Sequence, residues 1–570
     1  MTVLKEGWVW AGWLDAAMRD RLEQESLPAF LPRQRWFASK ARELNLVRMI
    51  DAAPLIRSTA SAPSESSARE SILTLVEVSF RGGAAETYFV PLVQATGPAA
   101  GRLAPEAIIA RLDGPGEPWV IADALADDDA CAALLAAIEV GCRFKTRLGE
   151  IRAFPTTVYA EARGPSGRRP DITRRAVKMP CPSATRGFLD ILSLGIGRGK
   201  AEQSNSAIFY DGRLILKVFR RLEPGINPDF EIGRFLSERT GFDRIPKTAG
   251  AIEFDWSGAG PTTLAILQGL VLNQGTGWEH ALGELESYYD RVSRRTDDPS
   301  GPDAAKTVGA YLDATATLGR RTAELHLSLA SDSHDPDFAP EPLAAADLDA
   351  LARDIREQVE RALTVLRNRC GALPPPTNGQ AHRVLDGVPR LLGSLDDLPA
   401  MVTEATKIRV HGDYHLGQVL RTDGDFVILD FEGEPARPLT KRREKQSPLK
   451  DVVGMLRSFD YAAYAGLFSF TRDGHGDLGR LAAWAQAWRD RTSAAFLEAY
   501  FATARGASFL PVDQAHRDLL LQAFTLDKAL YELLYELNNR PDWVRIPLQG
   551  ILTLIEQGEA VAEKGSFVER

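Results

Sequence analysis

The sequence predicts an α+β fold, strand-rich toward the N-terminus and mainly helical toward the C-terminus. Three observations carry this. Two β-rich runs, Ile72–Phe80 and Thr87–Val93, flank a Gly82-Gly83 turn. A second pair, Ile208–Tyr210 and Leu214–Phe219, is joined by Asp211-Gly212, the dipeptide favoured in a type I′ turn because both central residues take positive φ. From about residue 274 onward, apolar residues recur at helical spacing. At 570 residues, 44% hydrophobic and 25% charged, the chain has enough apolar material for a large core. A prior of about 150 residues per domain gives three or four compact units. The pattern divides the chain at 1–105, 106–273 and 274–570.

Taken in order, Leu14–Glu25 reads as an opening helix and Arg57–Ser67, rich in Ser and Ala, as a loop. No chemistry is visible in this first region. After the Asp-Gly hairpin a helix is expected: Asn227 can cap it, Pro228 suits its first position, and Ile232, Phe235 and Leu236 form an apolar face. A further hairpin around Ser257–Gly260 leads into a buried strand, Thr263–Leu267. Helices are expected at 278–293, 303–330, 345–370, 449–465, 480–503 and 513–537. One non-helical island, Lys407–Glu434, interrupts them as short strand, polar loop, strand, turn at Asp423-Gly424, strand. An irregular polar loop held by short strands is where function tends to sit. The basic run Lys441–Lys445 reads as a solvated loop rather than a binding patch.

Charge and cysteine usage exclude several classes. The net charge of −9, from 68 basic and 77 acidic residues, argues against nucleic acid as the main partner. Cys131, Cys142, Cys181 and Cys370 form no C-x-x-C pair, which fits a reducing compartment better than a disulfide framework or a zinc site. No run of about 18 apolar residues exists, and the N-terminus lacks a continuous apolar segment. A cytoplasmic protein without membrane or nucleic-acid partners is the expectation.

The island carries the chemistry. It contains His411-Gly412-Asp413-Tyr414-His415-Leu416-Gly417-Gln418, followed by Asp430-Phe431-Glu432-Gly433. Phosphoryl transfer needs a carboxylate beside the attacking hydroxyl and oxygen ligands that hold Mg²⁺ on the phosphates. Asp413 suits the first task, and Gln418 and Asp430 the second. Singly, each could be a turn or strand-end residue; it is their combination that points to phosphoryl transfer. His411 and His415 are spaced i, i+4, but Gly412 and Gly417 argue against the helix a zinc pair would need. His411 reads as a packing brace, and His415 has no assignment. Upstream, Lys217 shares a strand face with Ile215 and Phe219, so its ammonium needs an anionic partner: phosphate oxygens or Glu231. Before the hairpin, Gly195–Gly199 and Gln203–Ser206 form a Gly- and Ser-rich stretch whose backbone could face phosphates. In the last large helical segment, Leu530, Leu533, Leu534 and Leu537 face a core. Lys528, Tyr531, Glu532 and Tyr535 repeat that spacing on another face, which reads either as a solvated surface or as a sugar-binding one.

The order of loop, strand lysine, helix glutamate, H-G-D-x₄-Q and D-F-E resembles the aminoglycoside-phosphotransferase-like branch of the protein-kinase fold. Within that branch His411–Gln418, Asp430–Pro435, Ser447–Tyr461 and Lys528–Pro547 resemble maltokinases, as do Gln34–Phe37 and Gln203–Ser206. The resemblance runs from about residue 20 to the end. It implies a bilobal eukaryotic-protein-kinase-like fold: a strand-rich cap over 1–105, a segment over 106–273 completing the N-lobe, and a helical C-lobe over 274–570. The implied reaction is ATP-dependent phosphorylation of maltose at its anomeric hydroxyl, giving maltose 1-phosphate for glycogen and α-glucan synthesis. Trehalose synthase is the implied fused or associated partner.

Residue by residue, the resemblance implies that Asp413 is the catalytic base and that Gln418 and Asp430 hold Mg²⁺. Lys217 would contact ATP phosphates and pair with Glu231, and Ser204, Asn205 and Ser206 would cover the phosphates. Gln268, Gly269, Leu270 and Val271 would be the hinge that reads adenine. Lys528, Tyr531 and Tyr535 would face maltose, with Trp543 a lesser candidate, and Asp451 would anchor the catalytic loop. Relatives sharing H-G-D and D-F-E keep a kinase for another sugar, such as glucosamine, as an alternative. A silent scaffold for trehalose synthase is disfavoured by the presence of Lys217, Asp413, Gln418 and Asp430 together.

Overall fold

The computed structural model describes residues 14–58, 70–112, 119–164, 177–178, 195–199, 204–258, 260–295, 299, 307–401, 403–472 and 477–568. Most of the expected loop at Arg57–Ser67, Cys181 and Gln203 lie outside the described residues. The chain forms two compact units: Met1–Arg239 with Pro246–Val271, and Thr240–Ile245 with Leu272–Arg570.

The first unit holds two antiparallel sheets. In one, Glu70–Phe80 is flanked by Leu44–Ser58, Glu86–Phe89 and Leu92–Thr96. The 15-residue strand Leu44–Ser58 gives no clear alternation in the sequence, because it bends at irregularities near Leu44, Met49 and Pro54. Trp119–Asp123 then adds to Leu92–Thr96, and Ile108–Leu112 to Trp119–Asp123. The sheet therefore continues past the expected boundary at 105/106. The reason is pairing: Ile121 and Leu112 bury their side chains in the same core as Val76 and Leu92. The second sheet runs Ile196–Arg198, Asn205–Tyr210, Leu214–Phe219, Gly260–Gly269, Thr248–Trp256, Gly149–Pro155, Arg143–Lys145. Its Asp211-Gly212 turn has φ of 51° and 63°, as a type I′ turn requires. The buried helix Asp128–Val140 packs on it, starting from an Asp127 cap and ending at Gly141 with φ 72°. The helix Pro228–Arg239 begins as expected: Asn227 Oδ1 accepts from the Asp229 N–H at 2.9 Å.

The second unit is built from long helices: Gly277–Ser293, Tyr311–Leu329, Ala345–Arg369, Pro375–Ser394, Leu449–Arg472, Leu478–Thr503, Gln514–Asn539 and Arg545–Val568. Pro375–Ser394 and Arg545–Val568 were not expected. They pack on each other so closely that a Cβ on Gly387 would meet Ile555 Cδ1 at 2.6 Å. Among the helices lies the island, with strands Thr406–Lys407, Val419–Arg421 and Phe426–Ile428 and a single 3₁₀ turn, Leu416–Gln418. Leu449–Arg472 can approach it because position 454 is glycine: a Cβ there would sit 2.5 Å from the Tyr414 carbonyl oxygen.

Candidate active site

One carboxylate fixes the loop His411–Gln418 from beneath. Buried Asp451 accepts from the His411 N–H at 2.7 Å and the Gly412 N–H at 2.9 Å. Gly412 has φ 83°, the left-handed conformation that turns its N–H to this carboxylate beside that of His411. Burial pushes the Asp451 pKa up, but His326, His411 and the loop N–H groups outweigh it and hold the carboxyl below its ordinary value. Ionised Asp451 can only accept, so His326 donates to it from Nε2 at 3.2 Å, while its Nδ1 shares a hydrogen bond of 2.9 Å with the Tyr500 hydroxyl. His411 is the brace the sequence predicted. Its Nε2 donates to the Leu429 carbonyl at 3.0 Å, and its ring packs on Tyr414 and Phe431.

This frame presents Asp413 and Gln418 from one loop. Gln418 Nε2 donates to Asp430 Oδ2 at 3.0 Å. Asp430 has φ 68°, a conformation uncommon outside glycine but tolerated by aspartate, and it turns the chain after Phe426–Ile428. Its carboxylate and the Gln418 amide oxygen are hard oxygen donors of the kind a Mg²⁺ ion takes.

Beside Asp413 opens a cavity of about 390 Å³, lined by residues of the second unit that include Trp278, His415, Tyr461, Lys528, Tyr531, Tyr535 and Trp543. Lys528 Nζ lies 3.7 Å from Asp413 Oδ1. Burial works against the ammonium, yet Asp413, Glu532 and Glu434 outweigh burial and raise its pKa. Two further carboxylates line the cavity, each held by an arginine. Glu532 Oε2 accepts from Arg457 Nε at 2.9 Å and Nη2 at 2.6 Å. Glu536 accepts from Arg540 Nη2 at 2.6 Å and from the Tyr461 hydroxyl at 3.0 Å. Tyr461 and Trp543 stack at 6.3 Å with 15° between their planes. The helix face Lys528, Tyr531, Glu532 and Tyr535 thus borders a cavity open to solvent, at whose mouth Tyr535 is 45% exposed. His415 borders it too. Its Nδ1 accepts from the Gly417 N–H at 3.0 Å, and burial pushes its pKa down.

The first unit carries the lysine. Lys217 Nζ meets Asp229 Oδ2 at 3.1 Å and lies 5.5 Å from the Phe219 ring centroid. The sequence pointed to Glu231 and did not consider Asp229, two residues earlier and buried at the helix start. Of the three loop candidates only Ser204 stands outside a strand; Asn205 and Ser206 open the strand Asn205–Tyr210. Ser206 Oγ accepts from Arg220 Nε at 2.8 Å, and buried Arg220 pairs with Asp123 at 2.5 Å. At the expected hinge, Gln268 and Gly269 end the strand Gly260–Gly269, and Leu270 and Val271 follow it. The Gly269 N–H donates to the Lys247 carbonyl and the Leu270 N–H to the Arg213 carbonyl, at 2.8 and 2.6 Å. Both N–H groups are thus engaged within the fold.

Asp229, Trp278, Arg457 and Glu536 were missed from the sequence. Asp229 had a weak signal, since Asn-Pro-Asp opens a helix with an acid in its first turn. The other three reach the cavity only through tertiary packing.

Residues 30–127 match the family model described as the maltokinase N-terminal cap domain. A glucosamine kinase from Streptacidiphilus jiangxiensis is 28% identical over 360 residues, 62% of this chain and 72% of that protein. A glucosamine kinase from Mycolicibacterium smegmatis is 26% identical over 365 residues, 63% of this chain and 79% of that protein. Among solved structures, a glucosamine kinase in complex with glucosamine, ADP and inorganic phosphate aligns at TM-score 0.58 and 22% identity. That alignment covers 92% of this chain and 96% of the other. The fold is thus that of these kinases: mixed α+β, strand-rich first and helical after. Among the described residues no helix is long and apolar enough to cross a membrane. The relatives support an ATP-dependent phosphotransferase.

Proposed function

We propose that this chain is a maltokinase, transferring the γ-phosphoryl group of ATP to the anomeric hydroxyl of maltose. The observation that carries this is the cavity lined by Lys528, which pairs with Asp413 beyond its wall, and by aromatic rings and arginine-held carboxylates. Sugars present both hydroxyl groups and apolar C–H faces, and such a lining offers partners to each. The match of residues 30–127 to a maltokinase cap supports maltose over other sugars.

Asp413 orients the acceptor hydroxyl and accepts its proton as the new O–P bond forms and ADP leaves. Lys217, held by Asp229, pairs with ATP phosphates; Ser204, Asn205 and Ser206 cover them; the Gln268–Val271 backbone reads adenine. Gln418 and Asp430 would hold Mg²⁺, which supplies positive charge to the phosphate oxygens. Lys528, Tyr531 and Tyr535 bind the sugar. The product would serve α-glucan synthesis, with trehalose synthase as the partner that the resemblance implies.

The names of the curated relatives favour a second reading, with glucosamine as acceptor. ADP release measured across sugars separates the two. Maltose as the best acceptor is expected; a chain that ignores maltose and uses glucosamine would replace the first reading by the second.

A further inference from the structure

His415 has no role in the steps above, yet it borders the cavity with one ring nitrogen already committed. Nδ1 accepts from the Gly417 N–H at 3.0 Å, which closes the short turn Leu416–Gln418. A nitrogen that accepts carries no proton, so the imidazole is neutral and its hydrogen sits on Nε2. That Nε2–H has no hydrogen-bond partner among the described residues. The ring lies in the same cavity wall as Trp278, Ser458 and Lys528. Across the lining, Glu532 presents the complement: both of its bonds from Arg457 fall on Oε2, and Oε1 accepts none among the described residues. A fixed donor and a fixed acceptor, both unused by the protein, face one cavity whose other charges are paired. Neither group is spent within the described fold, so a ligand that offers an acceptor to one and a donor to the other can bond both directly.

We propose that His415 is a specificity-determining residue: its Nε2–H donates to a hydroxyl oxygen of the acceptor sugar, with Glu532 Oε1 accepting from a sugar hydroxyl. The inference rests on the sugar-kinase reading above and assigns the side chain that reads the acceptor.

The two ring nitrogens can be tested apart. In His415→Asn the amide oxygen stands where Nδ1 was and keeps the Gly417 cap, while the Nε2 donor is gone. In His415→Gln the amide nitrogen reaches the Nε2 position and keeps the donor, while the cap is lost. Initial rates on the purified full chain, with the better of maltose and glucosamine varied at saturating ATP and then ATP varied, give both KM values. A sugar-reading role predicts that His415→Asn loses about 5- to 150-fold in kcat/KM for the sugar with KM for ATP unchanged. His415→Gln should retain most of it. The reverse order, with His415→Asn near parental and His415→Gln impaired, would make His415 a loop cap only and overturn the proposal. Equal loss in both variants, or a loss of ATP and sugar parameters together, overturns it as well. A parent chain that phosphorylates neither sugar defeats the earlier reading instead, and that result appears before any variant is compared.

Discussion

Replacing Asp451 by Asn should loosen the catalytic loop and destabilise the protein together. The carboxylate accepts from two loop N–H groups at 2.7 and 2.9 Å and from His326 at 3.2 Å. An Asn amide has one oxygen, so its NH₂ must face at least one of these donors. A buried donor left unmatched costs about 1–3 kcal/mol, and the surviving bonds lose their charge assistance, for a total of about 2–5 kcal/mol. Urea titration reads this as a lower midpoint with the slope unchanged. Turnover should fall too, because Asp413 directly follows the anchored His411 and Gly412 N–H groups and a misplacement of about 1 Å can cost about 10²-fold. The sign with pH is fixed. The folded-state pKa of Asp451 is lowered, so its contribution is complete above the ordinary carboxyl value of about 3.9 and is lost as pH falls through the folded value. The stability gap between parent and variant should therefore be widest near neutrality and close below about pH 4. A variant within about 1 kcal/mol of the parent at pH 7 with full turnover would refute the anchoring argument.

Three other substitutions test the remaining roles. Asp413→Asn should lower turnover by about 10² to 10⁴ with little change in ATP affinity, since a positioned proton acceptor contributes on that order; stopped-flow or steady-state ADP release checks it. Asp430→Asn should weaken Mg·ATP binding in calorimetry through loss of a hard anionic ligand, and unchanged affinity with unchanged activity would remove the metal role. Lys528→Ala and Tyr531→Phe should each raise the sugar KM far more than the ATP KM, by about 5- to 150-fold in kcat/KM; silence in both would return this helix face to the protein surface.

What could be read from the sequence was local. Asp211-Gly212 announced its turn because the backbone demand falls on those two residues. Asp413, Gln418 and Asp430 were legible because one short loop and one hairpin carry them. The helix Pro375–Ser394 was hidden by Pro389, Gly379 and Gly387, weak helix formers that tertiary packing against Arg545–Val568 overrides. The first sheet's extension to Asp123 depends on an edge offered by Leu92–Thr96, which no local pattern reveals. That Asp229 meets the lysine was not legible, because helix geometry, not sequence order, decides which side chains meet the strand. Arg457 and Glu536 were invisible for a related reason. Their partners Glu532 and Tyr461 are 75 residues away in sequence.

The most direct test is to follow the phosphorus atom. ³¹P NMR of the purified chain with ATP, Mg²⁺ and maltose should show ADP forming in step with a new sugar-phosphate resonance whose phosphorus couples to the anomeric proton. Both signals should depend on maltose and vanish in Asp413→Asn. ADP formation that ignores every added sugar, with inorganic phosphate as the sole new species beside ADP, would contradict phosphoryl transfer to a sugar.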